Sequence, residues 1–305
     1  MPDPFLGKLL VAVDGSEMGD YALNVTVDLG EKFLSEIDII HVSNPRQLIP
    51  IIPIYDPIMG TPVMTPPVMI PQESEEKLKM AETSLLSERQ KIVTGRNLKC
   101  ETISVESDDM GGSIITEASK GGYDLIVVGS RGLSGLRGLL LGSTSKKVAK
   151  ESKKSVLIVS SRISKTPKFL LGYDGSEESK AALDVAKNLG KKFGAEVDTI
   201  GIVSIPVSTE GYIVSGIDRW EKEMQQSVDE ATNNLRAEGI QTQGMVIDSG
   251  DVSKAIIDTA KRGSYDFVVL GSRGYGRLKS MFLGSVAGGV ADSAVTNVWI
   301  VREGK

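Results

Sequence analysis

The sequence predicts an α/β protein made of two consecutive doubly wound units, each a parallel sheet covered by helices on both faces. Two observations carry this. Short apolar runs alternate with stretches of helical periodicity, the pattern of strands joined by crossover helices. The whole pattern then occurs a second time. KLLVAVDGSEMGDYALNVTVDLGEKF (8–33) aligns with KFLLGYDGSEESKAALDVAKNLGKKF (168–193) at an offset of 160, and GGYDLIVVGSRG (121–132) aligns with GSYDFVVLGSRG (263–274) at an offset of 142. A chain of 305 residues is long enough for two domains, each with its own core. The polar stretch SSRISKTPK (160–168) separates them, which sets the domains at 1–162 and 166–305. The offsets differ by 18, so the first domain carries an insertion; eight of the twelve prolines lie between Pro45 and Pro71 and place it at about 44–74.

In chain order, KLLVAV opens the first unit as a short buried strand. Ser16 then caps a helix in which Tyr21, Val25, Leu29 and Phe33 recur every fourth residue. Gly30 interrupts that helix and Gly190 repeats the interruption, which predicts close packing rather than a helix end. EIDIIHV, a long helix from about Glu73 to Arg96 and KCETISVE follow. A helix over Ser113–Lys120, the strand DLIVV, a helix opened by Gly142 and the strand SVLIVS complete the unit. The second unit keeps this order and closes with NVWIV.

Composition excludes several classes of function. Hydrophobic residues make up 40% and charged residues 25%, as in soluble globular proteins. A net charge of -5 argues against binding to nucleic acid or to acidic membrane, where a basic face supplies most of the affinity. The single cysteine, Cys100, excludes an intrachain disulfide and any CxxC site, and is expected as a buried, inert thiol. The single histidine, His41, leaves little for His-based metal or triad chemistry and reads as a satisfied strand-end side chain. MPDPFLGK lacks the basic and apolar segments of a signal peptide, and prolines break the apolar window 48–71. The chain is expected in the cytoplasm, with neither membrane nor nucleic acid as a partner.

Two glycine-rich stretches share the spacing Gly-x2-Gly-x9-Gly-Ser: Gly129, Gly132, Gly142 and Ser143, then Gly271, Gly274, Gly284 and Ser285. Doubly wound sheets bind ligands beyond the carboxyl ends of their strands, where the winding reverses. Asp14 ends the first strand and Gly129 the fourth, so neighbouring strands would set them face to face. Glycine lets backbone N–H groups approach an anion, and the helix opening at Gly142–Ser143 offers free N–H groups and a favourable dipole. The hydroxyls of Ser143 and Thr144 add donors, and Arg131 and Arg137 add charge. Asp14 can accept from a ribose hydroxyl or help hold a phosphate-bound magnesium. Such a loop can also be no more than a turn, but its recurrence with an Asp-Gly-Ser partner favours a polyphosphate site. There is no Walker motif and no Rossmann glycine triplet after the first strand, and VDGSEMG lacks a glycine of the ATP-pyrophosphatase loop.

With VDGS, YDGS and both glycine loops, the chain resembles the universal stress protein family, in the tandem-domain form of its ATP-binding branch. The resemblance covers nearly all of the chain outside the insertion. It implies five-stranded parallel sheets of order 3-2-1-4-5 in an adenine nucleotide alpha hydrolase-like fold. It also implies ATP, ADP or AMP with magnesium as the ligand. Adenine would lie at Val13 and Val42, with Asp14 at the ribose or phosphate and Gly129, Arg131, Gly132, Gly142, Ser143 and Thr144 around the phosphates. The second site would use Tyr173, Asp174, Val203, Gly271, Arg273, Gly274, Gly284, Ser285 and Val286. Asp14 and Asp174 would be the metal contacts, through the bound nucleotide. Tyr173 replaces a smaller residue beside the base. The family resemblance further implies pairing of the two domains through their last strands, which would remove two apolar edges, and the chain is a candidate homo-oligomer.

The insertion, NPRQLIPIIPIYDPIMGTPVMTPPVMIPQES, has neither helical nor strand period, and its prolines favour extended backbone outside any sheet. Ile49, Ile51, Ile52, Ile54, Tyr55, Met59, Met64 and Met69 suit a flap packed on a neighbouring domain or subunit; copper(I) ligation by the methionines is the remote alternative. The leading functional reading is a regulatory ATP-binding protein of the stress response. The alternatives are a slow ATPase or phosphotransferase, and an assembly scaffold with vestigial sites. Asp14 and Asp174 are the only candidate general bases near the phosphates, Lys279 reads as a solvated charge, and no catalytic residue is assigned.

Overall fold

Alternating apolar runs become strands because each must bury both faces, and the helices between them supply the cover. The computed structural model describes residues 5–44, 54–55, 62–63, 72–132, 141–204, 217–274, 283–293 and 296–302. The first unit runs β1 (Lys8–Ala12), α1 (Glu17–Phe33), β2 (Glu36–Ser43), β3 (Ile54–Tyr55), β4 (Pro62–Val63), α2 (Gln72–Thr94), β5 (Cys100–Glu106), α3 (Met110–Lys120), β6 (Leu125–Gly129), α4 (Ser143–Glu151) and β7 (Ser155–Val159). The second runs β8 (Lys168–Gly172), α5 (Glu177–Phe193), β9 (Glu196–Val203), α6 (Ile217–Ala237), β10 (Gly244–Asp248), α7 (Val252–Arg262), β11 (Phe267–Gly271), α8 (Ser285–Ser293) and β12 (Asn297–Val301).

The long strands form one ten-stranded sheet of order β10-β9-β8-β11-β12-β7-β6-β1-β2-β5. Pairing is parallel within each unit and antiparallel at the seam, where Val298, Trp299 and Ile300 face Ile158, Leu157 and Val156. Pairing of the two domains through their last strands was the expectation, and it joins their sheets into one, because each last strand is apolar and would otherwise leave an open edge. Leu157 and Trp299 occupy corresponding positions of the two units and face each other, and Trp299 is 1% exposed. Each unit's chain reaches across the seam. Asn297 Oδ1 accepts from the Ser160 and Ser161 N–H groups at 2.9 and 3.1 Å. The Arg302 guanidinium donates to the Ala149 carbonyl at 2.6 Å, and its backbone N–H donates to Ser155 Oγ at 3.1 Å. Leu9, Phe33, Phe169 and Trp299 belong to one apolar cluster, and Leu10, Val156, Leu170 and Ile300 to the other. Both cores therefore run through the seam.

Several local readings are corrected. Ile54–Tyr55 and Pro62–Val63 pair antiparallel inside the insertion, although its prolines argued against any strand. Residues 45–53, 56–61 and 64–71 of the insertion, with Met59, Met64 and Met69, lie outside the described residues, and with them the expected packing on a neighbouring domain. Helix α3 starts three residues before the expected Ser113, because the Asp109 side chain accepts from the Gly112 N–H at 2.9 Å and caps it there. Cys100 is half-buried at the start of the edge strand β5, and burial pushes its thiol up to about 12, which leaves it unreactive at neutral pH. No helix among the described residues is long and apolar enough to cross a membrane.

Candidate functional site

Strand β1 pairs with β6 and β8 with β11, so each Asp-Gly-Ser turn stands beside the glycine loop of its own unit. The turns need glycine at their centre: Gly15 and Gly175 have φ of 81° and 84°. Asp14 Oδ1 accepts from the Ser16 N–H at 3.0 Å and from its hydroxyl at 2.5 Å. Ser16 Oγ in turn accepts from the Gly19 N–H at 3.1 Å and caps α1. The second unit repeats the arrangement, with Ser176 donating to Asp174 Oδ1 at 3.0 and 2.6 Å and capping α5. One carboxylate oxygen is thus held by the turn. The other faces the loop, since a Cβ on Gly132 or Gly274 would collide with Asp14 Oδ2 or Asp174 Oδ2. Neither glycine has a positive φ, so contact with the carboxylate rather than backbone strain demands it.

At the far end of each loop, the Gly142 and Gly284 N–H groups donate to the Ser130 and Ser272 carbonyls, both at 2.8 Å. The first bonds inside α4 and α8 run from Lys146 to Gly142 and from Gly288 to Gly284. The N–H groups of residues 143–145 and 285–287 therefore have no acceptor within their helices, and no side chain caps α4. These are the groups that hold anions at helix starts. Ser143 and Thr144 lie on this turn, and the Ser145 hydroxyl donates to the Gly129 carbonyl at 2.6 Å, tying the helix to the end of β6.

In the second unit the same residues surround a cavity of about 530 Å³. Ile200, Ile202, Val252, Ile256 and Leu270 form an apolar wall, and Tyr173, Asp174, Gly271, Arg273, Gly274, Gly284, Ser285 and Val286 line the rest. A second cavity of about 280 Å³ adjoins it through Asp174, Ile202 and Met224, and Val203 lines this one. Strand register corrects the pairing of Val203 with Val42. Ala12 lies opposite Ile40 and Gly172 opposite Ile200, so Ile202 is the counterpart of Val42, and Val203 that of Ser43. In the first unit Val13 and Val42 are buried beside Asp14, and Arg131 and Gly132 follow β6. Arg137 and Lys279 lie outside the described residues. His41 places Nδ1 2.8 Å from the Val13 carbonyl oxygen, where the second unit has Gly201 packed against Met224. Sequence reasoning missed Glu178, whose Oε1 lies 3.0 Å from an Arg273 guanidinium nitrogen. The two are far apart in the chain, and only the pairing of β8 with β11 brings them together.

The profile of the universal stress protein family matches residues 6–160 and again residues 166–302. The chain belongs to the universal stress protein family. A universal stress protein of Mycolicibacterium smegmatis is 28% identical over 309 residues, which covers 96% of either chain. Universal stress protein YxiE of Bacillus subtilis is 33% identical over 156 residues, 50% of this chain and 97% of its own. Among solved structures, a universal stress protein from Archaeoglobus fulgidus superimposes with a TM-score of 0.68 at 22% identity, covering 98% of this chain and 97% of its own. That likeness shows the same fold over 98% of this chain, and the two profile matches make it tandem.

Proposed function

We propose that this universal stress protein binds adenine nucleotides with magnesium, one at each Asp-plus-glycine-loop site, and acts in the stress response through nucleotide occupancy rather than turnover. The observation that carries the reading is the cavity of about 530 Å³, which joins an apolar wall to an anion-binding helix start across a carboxylate. Adenine packs on Ile202 and its neighbours in the second site, and on Val13 and Val42 in the first. Asp14 and Asp174 accept from ribose hydroxyls or hold the metal on its phosphates. Backbone donors at Gly129, Gly132, Gly142, Ser143 and Thr144, and at Gly271, Gly274, Gly284, Ser285 and Val286, receive the phosphates together with Arg131 and Arg273. Among the described residues no three acidic, cysteine or histidine side chains are placed to hold a metal ion, so in this reading the nucleotide itself carries the magnesium.

Hydrolysis needs an oriented and activated water as well as bound phosphates. Each site offers one aspartate, with an oxygen already bonded to Ser16 or Ser176. The test is to extract and count nucleotide from the purified chain and then to follow ATP turnover. The expected result is adenine nucleotide approaching two per chain, with turnover far below the common enzyme value of about ten per second. Turnover in that range supports the enzyme reading. A chain that binds no nucleotide at millimolar magnesium-ATP supports the scaffold reading.

A further inference from the structure

We infer that the two sites divide adenine nucleotides by charge, the first taking a di- or triphosphate and the second a monophosphate, with Glu178 as the determinant. This rests on the nucleotide reading and deepens it. The loops share every glycine of the Gly-x2-Gly-x9-Gly-Ser spacing, but their surroundings differ at three places. The start of each loop presses on the first turn of the helix that follows its unit's Asp-Gly-Ser turn, α1 or α5. A Cβ on Gly129 would meet the Met18 carbonyl carbon at 2.8 Å, and one on Gly271 would meet that of Glu178 at 2.7 Å. The backbone approach is therefore the same and only the side chain changes, from an uncharged thioether to a carboxylate. Glu178 is 19% exposed and paired with Arg273, which lines the cavity. A phosphate entering there meets a guanidinium already neutralised, with a poorly screened anion behind it.

The other two differences act in the same direction. Thr144, with a hydroxyl donor in the first turn of α4, is replaced by Val286 in α8. Helix α4 carries Lys146, Lys147 and Lys150 against one acid, Glu151, whereas α8 carries no basic residue and one acid, Asp292. Lys146 pairs with Asp292 and Lys147 with Asp109. Two charges oppose the trend: in sequence the second loop carries Arg273, Arg277 and Lys279 against Arg131 and Arg137 in the first, and Arg302 stands near Arg273. Burial, and then the charge of nearby Arg273, pull the Arg302 guanidinium below its ordinary range. That guanidinium, however, is bonded to the Ala149 carbonyl at the negative end of α4.

The experiment uses the full chain with one site blocked at a time. Gly132→Val leaves the second site and Gly274→Val the first; each is titrated calorimetrically with magnesium-ATP and with AMP. The ratio of ATP to AMP dissociation constants is expected to be at least about tenfold higher at the second site. Adding Glu178→Met to the Gly132→Val chain is expected to lower that ratio about tenfold. Ratios that agree at the two sites, or a ratio unmoved by Glu178→Met, overturn the inference. If a valine variant does not fold, displacement of labelled ATP from the unmodified chain replaces it. AMP should then release ATP in two phases, one site well before the other, and a single phase overturns the inference while leaving nucleotide binding intact. No binding of either nucleotide to the unmodified chain overturns both readings.

Discussion

A Cβ on Gly132 or Gly274 would collide with a carboxylate oxygen, and that crowding makes them the sharpest probes of the proposed sites. Valine at either position forces Asp14 or Asp174 aside and fills the space a phosphate would use. Gly132→Val is expected to lower nucleotide stoichiometry by one, Gly274→Val likewise, and the double variant to bind none. Calorimetry decides it: loss of all binding in either single variant, or no loss in both, rules out two independent sites. These glycines were legible because the spacing occurs twice and each copy follows an Asp-Gly-Ser turn. The base side was less legible. IIHV and IGIV read alike as apolar strand ends, and only the register of β8 on β9 shows that Ile202 rather than Val203 matches Val42. Glu178 looked like an ordinary acid in a helix first turn, where the dipole favours one. Nothing local announces that an arginine far along the chain will reach it.

Among the elements, α1 and α5 show how a sequence irregularity becomes a packing requirement. A Cβ on Gly30 would meet Ile37 Cδ1 at 2.7 Å and Leu98 Cδ1 at 3.0 Å; one on Gly190 would meet Val197 Cγ2 at 2.9 Å and Ile240 Cδ1 at 3.0 Å. Helix propensity alone would make Gly30→Ala stabilising by up to ~1 kcal/mol. Overpacking works against this by ~1–3 kcal/mol, so a net loss of stability is expected in urea unfolding. A rise in the urea midpoint would mean that the layer yields more easily than the contacts imply. The repeated glycine foretold close packing, and the periodicity of Tyr21, Val25, Leu29 and Phe33 foretold the helix. The β3–β4 pair was not foretold, because strands of two residues carry no period and Pro62 argues against one.

At the scale of the molecule, the β7–β12 seam is the feature on which the rest depends. The first unit expressed alone, residues 1–162, would expose β7 with Val156, Leu157 and Ile158 as an open edge. It is expected to self-associate on a sizing column, and Ile158→Lys to suppress this. A wild-type fragment that stays monomeric would show that the edge can be covered from within. The apolar last strands made some pairing foreseeable, but not that both cores would merge across it. The seam also bears on inheritance. When two identical subunits close such a seam, one gene writes both halves, and a change beside one site is copied into the other. Here each half is spelled out separately. Met18 can stay uncharged while Glu178 becomes an acid, Thr144 can keep its hydroxyl while Val286 loses it, and Val13 can stay small while Tyr173 grows. A single chain can thus let its two halves diverge side by side, at the cost of always making them together.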